Sequence, residues 1–438
     1  MNMIQKGIDA RVCVIGAGPS GITAIKHLLQ VGIENIVCYD KNDQVGGNWI
    51  YSPDPSHSSV YETAHIISSK KLSQYHDFKM PDDYPDYPGH KLLLKYFQDY
   101  ANHFGVTKYV KFNTEVESAK VQEDGTWDIT LKDGTKQSFD YLIVASGHHW
   151  NPNLATFPGT FNGEIMHSHY YRSHLKYKGK KVLIIGAGNS ACDISVDVSR
   201  YATFTSISWR RGYYVFPKVV FGQPGDVFAS RTNFLPRRIR KILFRLTYKL
   251  TVGSNDKYGL PKPDHPVLSS HPILNSQFLN HLRHGDIHPR KAVKEFKCNT
   301  VVFVDGREEE YDSIILGTGY KISFPYLKYN QLNYEDKEEV DLFLKMFHPD
   351  FPTLGIIGLF QPQGCIWPAS DTQAQIMANY IVGNYTWPKN INKEIKKETD
   401  EIKKNFIHTY RHLTEVEYHS FQKRLDRQVP KKAPTWEQ

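Results

Sequence analysis

Two short stretches of this 438-residue chain carry glycines at a spacing that can cradle a phosphate. "RVCVIGAGPSGITAIKHLL", residues 11 to 29, holds Gly16, Gly18 and Gly21 in G-x-G-x-x-G order, with Pro19 and Ser20 between them. "KVLIIGAGNSACDI", residues 181 to 194, repeats the pattern with Gly186, Gly188 and Ala191 around Asn189 and Ser190. The first glycine permits a tight turn, the second lets backbone approach a pyrophosphate, and the third lets a helix pack closely with its N-terminus toward the anion. The two stretches differ in what lies 22 positions past the second glycine: Asp40 in one, Arg210 followed by Arg211 in the other. A carboxylate there accepts hydrogen bonds from ribose hydroxyls and repels a 2′-phosphate, whereas a guanidinium grips one through charge-assisted, often bidentate bonds. The first stretch is therefore expected to take the ADP half of FAD and the second NADPH. If each arginine contributes about 1.5 kcal/mol, NADPH is preferred over NADH on the order of a hundredfold. The competing reading is a solvated arginine pair at a strand end.

These residues need strand, turn and helix to position them. Each glycine run follows a short apolar stretch and opens a helix-like segment, and "NIVCYD" supplies the next strand, ending on Asp40. Alternating strands with turns at Asp124-Gly125 and Asp133-Gly134 lead to a buried-type strand, Tyr141 to Ala145, closing on Ser146-Gly147. A similar ending returns where Ile314 to Leu316 runs into Gly317, Thr318 and Gly319. Each marks a crossing between domains. The expected fold is α/β with two dinucleotide-binding, Rossmann-like domains. The NADPH domain, residues 153–320, is inserted into an FAD domain formed by 1–152 and 321–438, and it carries a basic helical insertion at about 220–260. No solenoid period is visible.

Composition narrows the function classes. The chain is 40% hydrophobic, enough to bury a large core, and its formal net charge of +8 suits anionic small molecules or an acidic surface without making a case for nucleic acid. Five scattered cysteines without C-x-x-C spacing point to a reducing compartment and away from disulfide or zinc chemistry. No apolar run is long enough for a membrane span, and "MNMIQKGIDARV" lacks the layout of a secretion signal, so a cytoplasmic protein is expected. One stretch stands apart. Between Asp226 and Asp256 there is no acidic residue, and "FLPRRIRKILFRLTYKL" sets Leu235, Ile239, Ile242, Leu243, Leu246 and Leu250 at helical intervals among Arg238, Lys241, Arg245 and Lys249. This basic amphipathic helix reads either as a lid or packing helix with a solvated face, or as a weak membrane-surface contact. The oligomeric state is open.

With two glycine motifs in place, "FNGEIMHSHYY" gains meaning: Phe161, Gly163, His167 and Tyr171 match F-x-G-x-x-x-H-x-x-x-(F/Y/W), the fingerprint of the flavin-containing monooxygenases. The chain resembles that family over most of its length. "GGNW" (Gly46, Gly47, Asn48, Trp49) is similar to the family's flavin-contacting G-G-x-W, "GLPKPDHP" to its middle region, and "LGTGY" to its F-A-T-G-Y segment. Gln373 in "SDTQAQ" resembles the glutamine near the flavin, and Val116 and Ser68 complete the expected cofactor contacts. The tail "QVPKKAPTWEQ" lacks the hydrophobic anchor of some animal members, so the resemblance is to a soluble, bacterial-type member. It implies that NADPH reduces FAD, that O2 adds to give a C4a-hydroperoxyflavin, and that a soft nucleophile, an amine nitrogen or a sulfide, takes the distal oxygen. His167 and Tyr171 are expected to be structural. A metal at His167 and His169 finds no clustered acid or cysteine, so none is expected.

One residue departs from the family pattern. "VYETAHIISSKKL" aligns with the segment in which a family asparagine contacts flavin and nicotinamide, and that place holds Ile67, followed by Ser68 and Ser69. Isoleucine donates no hydrogen bond, so Ser68, a backbone amide or a water would have to serve. Either oxygenation proceeds without that donor, or the protein acts mainly as an uncoupled NADPH oxidase. A Baeyer–Villiger ketone monooxygenase is the nearest other class, but its usual fingerprint is longer and Phe157-Pro158-Gly159 echoes it faintly. A disulfide reductase would need a redox cysteine pair. A nucleotide-binding scaffold would carry eroded glycine motifs, and both are intact.

Overall fold

The computed structural model describes residues 6–54 and 58–431; the end of the tail motif lies outside these. It divides into two units: residues 6–50, 70–148 and 321–431 form the first, and 51–54, 58–69 and 149–320 the second.

The first unit is built on a five-stranded parallel sheet whose order is Leu354–Ile356, Tyr141–Val144, Val12–Ile15, Ile36–Tyr39, Val110–Lys111. Its central strands, "VCVI" and "YLIV", are buried on both faces, which is why they read as continuous apolar runs. The helix Pro19–Gln30 follows the first strand and packs on the helix Trp367–Ile381. An antiparallel meander, Val116–Val121, Trp127–Leu131 and Lys136–Phe139, sits between the third strand and Tyr141–Val144, with the two expected Asp-Gly turns joining its strands. Trp127, fully buried in its core, donates from Nε1 to the Thr353 hydroxyl at 2.9 Å.

The second unit repeats the plan. Its parallel sheet is ordered Glu164–His167, Ser313–Leu316, Lys181–Ile185, Phe204–Ser208, His288–Arg290. Position by position the two sheets correspond, except that the edge strand beside the penultimate one comes from late in the chain in the first unit and from early in the second. The helix Asn189–Ser199 follows Lys181–Ile185, and the basic helix Arg237–Thr251 lies between Phe204–Ser208 and His288–Arg290.

One boundary differs from the sequence expectation, which kept residues 1–152 in one domain: residues 51–54, 58–69 and 149–152 group with the second unit. Hydrogen bonds supply the reason. Arg172, buried and with its guanidinium pKa lowered by that burial, donates to the carbonyls of His169 (2.8 Å), Tyr171 (3.0 Å) and Ser58 (2.8 Å). Lys218 donates to the Ile66 carbonyl at 3.3 Å, and the Ser69 amide to Asp226 Oδ2 at 2.6 Å. All five cysteines are free, and among the described residues no helix is long and apolar enough to cross a membrane.

Candidate functional sites in the two glycine loops

In the first unit the loop after Val12–Ile15 is set by glycines that have no room for a side chain. Gly16 has φ of +101°, and a Cβ on it would lie 2.7 Å from the Ala145 carbonyl oxygen; one on Gly21 would lie 1.8 Å from the Gly16 oxygen. Gly18 faces Gly47, whose φ is +55° and whose added Cβ would come within 2.9 Å of the Gly18 Cα. The "GGNW" turn is thus pressed onto the loop, and the Gly46 amide bonds the Ala17 carbonyl at 3.2 Å. Asp40 is buried beside it. Its Oδ2 accepts from the Ala17 amide at 2.6 Å, and its Oδ1 accepts from the Asn42 backbone and side-chain nitrogens at 2.7 and 2.8 Å. A carboxylate oxygen accepts two bonds, so Oδ2 keeps one direction for a ribose hydroxyl. A bare backbone loop at a helix N-terminus with a carboxylate beside it fits the ADP half of FAD.

The other residues expected here fall around this loop. Pro19 and Ser20 begin the helix, and the Ser20 hydroxyl bonds Ser370 at 3.0 Å. Trp49 meets Trp367 edge to face at 5.9 Å, and Asn48 is exposed between. Val116 opens the meander two residues past Thr114, whose amide bonds the Asp40 carbonyl at 2.9 Å. Gln373 is fully buried with its amide in use: Nε2 donates to the Leu344 carbonyl at 2.8 Å, and Oε1 accepts from the Gly358 amide at 2.9 Å. It pins Gly358, where a Cβ would lie 2.6 Å from Ser20 Oγ, against the start of the glycine helix.

In the second unit Gly186, at φ of +144°, would place a Cβ 2.2 Å from the Gly317 carbonyl oxygen. Gly188 caps the helix Asn189–Ser199 and Ser190 is exposed at its start. The Asn189 side chain is drawn aside, accepting from the Leu274 amide at 2.9 Å and donating to the Pro272 carbonyl at 3.3 Å. Trp209 follows the neighbouring strand, buried against Phe278, and the next two residues diverge. Arg210 is exposed with no ion pair among the described residues, whereas Arg211 Nε donates to Asp264 Oδ1 at 2.6 Å. That bond, together with His265, holds the Asp264 carboxyl below its usual range. Asp264 belongs to "GLPKPDHP", the stretch that had no assigned role. The expected two-arginine fork therefore reduces to one free guanidinium. Exposed positive charge beside a bare glycine loop fits an NADPH 2′-phosphate.

Ile67 and Ser68 lie in the segment that groups with this second unit; Ile67 is half-buried and Ser68 buried. The segment is tied to the second glycine helix, since the Tyr61 hydroxyl donates to Asp193 at 3.3 Å. Asp193 also accepts from Asn275 at 2.5 Å, and burial raises its pKa although Lys218, Asn275 and Tyr61 pull the other way. Burial likewise lowers the Lys218 pKa. This cluster was missed in the sequence, where only the Asp inside "SACDI" hinted at a polar group on the helix. The fingerprint residues serve packing: Gly163 would carry a Cβ 2.5 Å from the Asp312 oxygen, His167 Nδ1 accepts from the His169 amide at 3.1 Å, and Tyr171 donates to Asp197 at 2.6 Å.

Comparison with known proteins bears on descent and fold. The family model "Flavin-binding monooxygenase-like" matches residues 9–435. Flavin-containing monooxygenase 5 of Rattus norvegicus is 35% identical over 432 residues, covering 93% of this chain and 80% of that protein. Dimethylaniline monooxygenase [N-oxide-forming] 2 of the same species is 36% identical over 388 residues, covering 83% and 72%. Among solved structures, S-allyl-L-cysteine S-oxygenase from Allium sativum superposes with a TM-score of 0.72 at 22% identity, covering 96% of this chain and 88% of that one. An open crystal structure of cyclohexanone monooxygenase gives 0.71 at 17%, covering 96% and 97%. At such identities the structural likeness speaks to the fold. The sequence matches speak to descent, and by them this chain belongs to the flavin-binding monooxygenase-like family, as an FAD-dependent monooxygenase that uses NADPH.

Proposed function

We propose that this enzyme oxygenates a small soft nucleophile, an amine nitrogen or a sulfide sulfur, at the expense of NADPH and O2, in the cytoplasm. The observation that carries the reading is the opposite charge at two equivalent positions, Asp40 against the first glycine loop and the exposed Arg210 beyond the second. The N-oxide-forming activity in the name of one relative, 36% identical, supports the amine. Flavin bound there would supply the redox chemistry, with two electrons from NADPH reducing O2 so that one oxygen atom goes to the substrate and the other leaves as water. The chain supplies the rest. Asp40 orients the adenosine ribose through the free direction of Oδ2, the glycine helix N-termini face the pyrophosphates, and Arg210 holds the 2′-phosphate.

Ile67 favours a second outcome in the same site. Its side chain donates no hydrogen bond where the family asparagine would, so part of the NADPH consumed ends as hydrogen peroxide. Product and peroxide measured together against NADPH, over a panel of tertiary amines and thioethers, test both readings. Oxygenated product should appear with some members of the panel, and Ile67→Asn should raise its share. Peroxide equal to NADPH consumed with every amine and sulfide, in wild type and Ile67→Asn alike, would defeat the oxygenase reading.

A further inference from the structure

Within the first unit a cavity of about 550 Å³ lies between the helix Ile391–Asn405, the segment 336–345 and the chain at 406–413. Val340, Ile402, Phe406 and Leu413 give it apolar walls, and the exposed Asp336, Glu338 and Glu339 stand at its mouth with Lys337 and Lys403. Lys345 also lines it, yet this lysine is only 1% exposed. Among the described residues its Nζ donates one hydrogen bond, to the Val340 carbonyl on the same wall at 3.3 Å. Glu398, the carboxylate that acts on it most strongly, is already paired with Arg424 at 3.3 Å. Burial accordingly lowers the Lys345 pKa. An ammonium has three N–H donors, and a buried charge is costly unless it is paired and hydrogen-bonded.

The backbone that carries this lysine is strained as well. Leu344 and Lys345 have φ of +52° and +56°, two successive non-glycine residues in the left-handed region, which a side chain disfavours. The turn is held on both sides: the Leu344 carbonyl accepts from Gln373 at 2.8 Å and its amide donates to Glu398 at 3.4 Å. Strain of this kind persists only where the surroundings enforce it, and it collects at ligand sites. A ligand that answers these features carries one negative charge on an apolar body. A carboxylate takes the two remaining N–H donors of one ammonium, and an alkyl chain lies on the apolar walls. A phosphate dianion fits less well, because three acids face two lysines at the mouth. We propose that this cavity binds a small aliphatic carboxylate, its charged end on Lys345 Nζ and its chain against Val340, Ile402, Phe406 and Leu413.

Titration calorimetry of the purified holoenzyme with octanoate tests this. One saturable site is expected. Octan-1-ol, equal in length and uncharged, should bind about tenfold to a hundredfold more weakly, and acetate, which lacks the chain, at least about a hundredfold more weakly. Lys345→Met should weaken octanoate about as much as removing its charge does, and Ile402→Trp, which fills the cavity from the helix, should abolish binding. Both variants should keep their bound flavin. If Lys345→Met does not fold, Ile402→Trp and the comparison with octan-1-ol decide the matter. Absence of saturable octanoate binding, octan-1-ol bound as tightly as octanoate, or octanoate affinity unchanged in either folded variant would overturn the proposal.

Discussion

Arg210 and Arg211 are adjacent in sequence and unequal in freedom. The Asp264 carboxylate has claimed Arg211 at 2.6 Å, leaving Arg210 exposed and without an ion pair among the described residues. A guanidinium already neutralised by a carboxylate gives little to an incoming phosphate, so the hundredfold preference expected from two free arginines shrinks to what one provides. Arg210→Ala should lower the ratio of kcat/KM for NADPH over NADH about tenfold, corresponding to about 1.5 kcal/mol. Arg211→Ala should change it by less than about threefold, and Asp264→Asn, which releases Arg211, should raise it. A ratio unmoved by Arg210→Ala would remove the NADPH assignment from this loop.

At the scale of elements, the two glycine helices solve one packing problem with opposite choices. In the first unit the helix offers Gly21 to Ala145 at the end of its neighbouring strand; in the second it offers Ala191 to Gly317. The methyl group has changed sides. A Cβ on Gly317 would lie 2.7 Å from the Ala191 Cβ, too close for either backbone to ignore. Gly317→Ala should therefore destabilise the second unit by about 1 to 3 kcal/mol, read as a lower urea midpoint. Adding Ala191→Gly recreates the first unit's pairing and should restore most of the loss, less the roughly 0.5 to 1 kcal/mol that glycine costs in a helix. Wild-type stability in Gly317→Ala would mean that the helix and strand are not in this contact.

For the whole molecule, each unit buries an imidazole in its neutral form. His148 in the first unit and His167 in the second are both pushed down to about 4 from 6.5, chiefly by burial. The His148 hydrogen bonds to Gln361 and the Gly358 backbone oppose the shift, and His169 adds to it at His167. Between those two values the unfolded chain binds more protons than the folded one, so stability falls as pH drops through this window and is full above it. The loss is at most about 3 kcal/mol for each histidine. In Asp371, burial disfavours the carboxylate, but His27 and the fully buried Lys26 hold its pKa below the ordinary 3.8, so its contribution is lost only under more acidic conditions. Urea midpoints should decline from about pH 6.5 to about pH 4.5, and less steeply in His167→Gln. A flat profile over that range would contradict the neutral burial of both rings.

The sequence by itself determined the family, the two glycine loops, the strands that precede them and the acid and base 22 positions past each second glycine. Those signals are local: a turn that only glycine can make, a helix that starts at once, and an apolar run buried on both sides each leave their mark within a few residues. What depends on distant partners was decided by the tertiary structure. Arg211 is taken by Asp264, 53 positions away. Gln373 bonds the backbone of Leu344 and Gly358, and residues 58–69 join the second unit through Arg172, Lys218 and Asp226. The basic helix shows the limit most plainly, because periodicity locates an aliphatic stripe without saying which way it faces. That direction was set by the face the unit buries, Arg240, Thr247 and Tyr248.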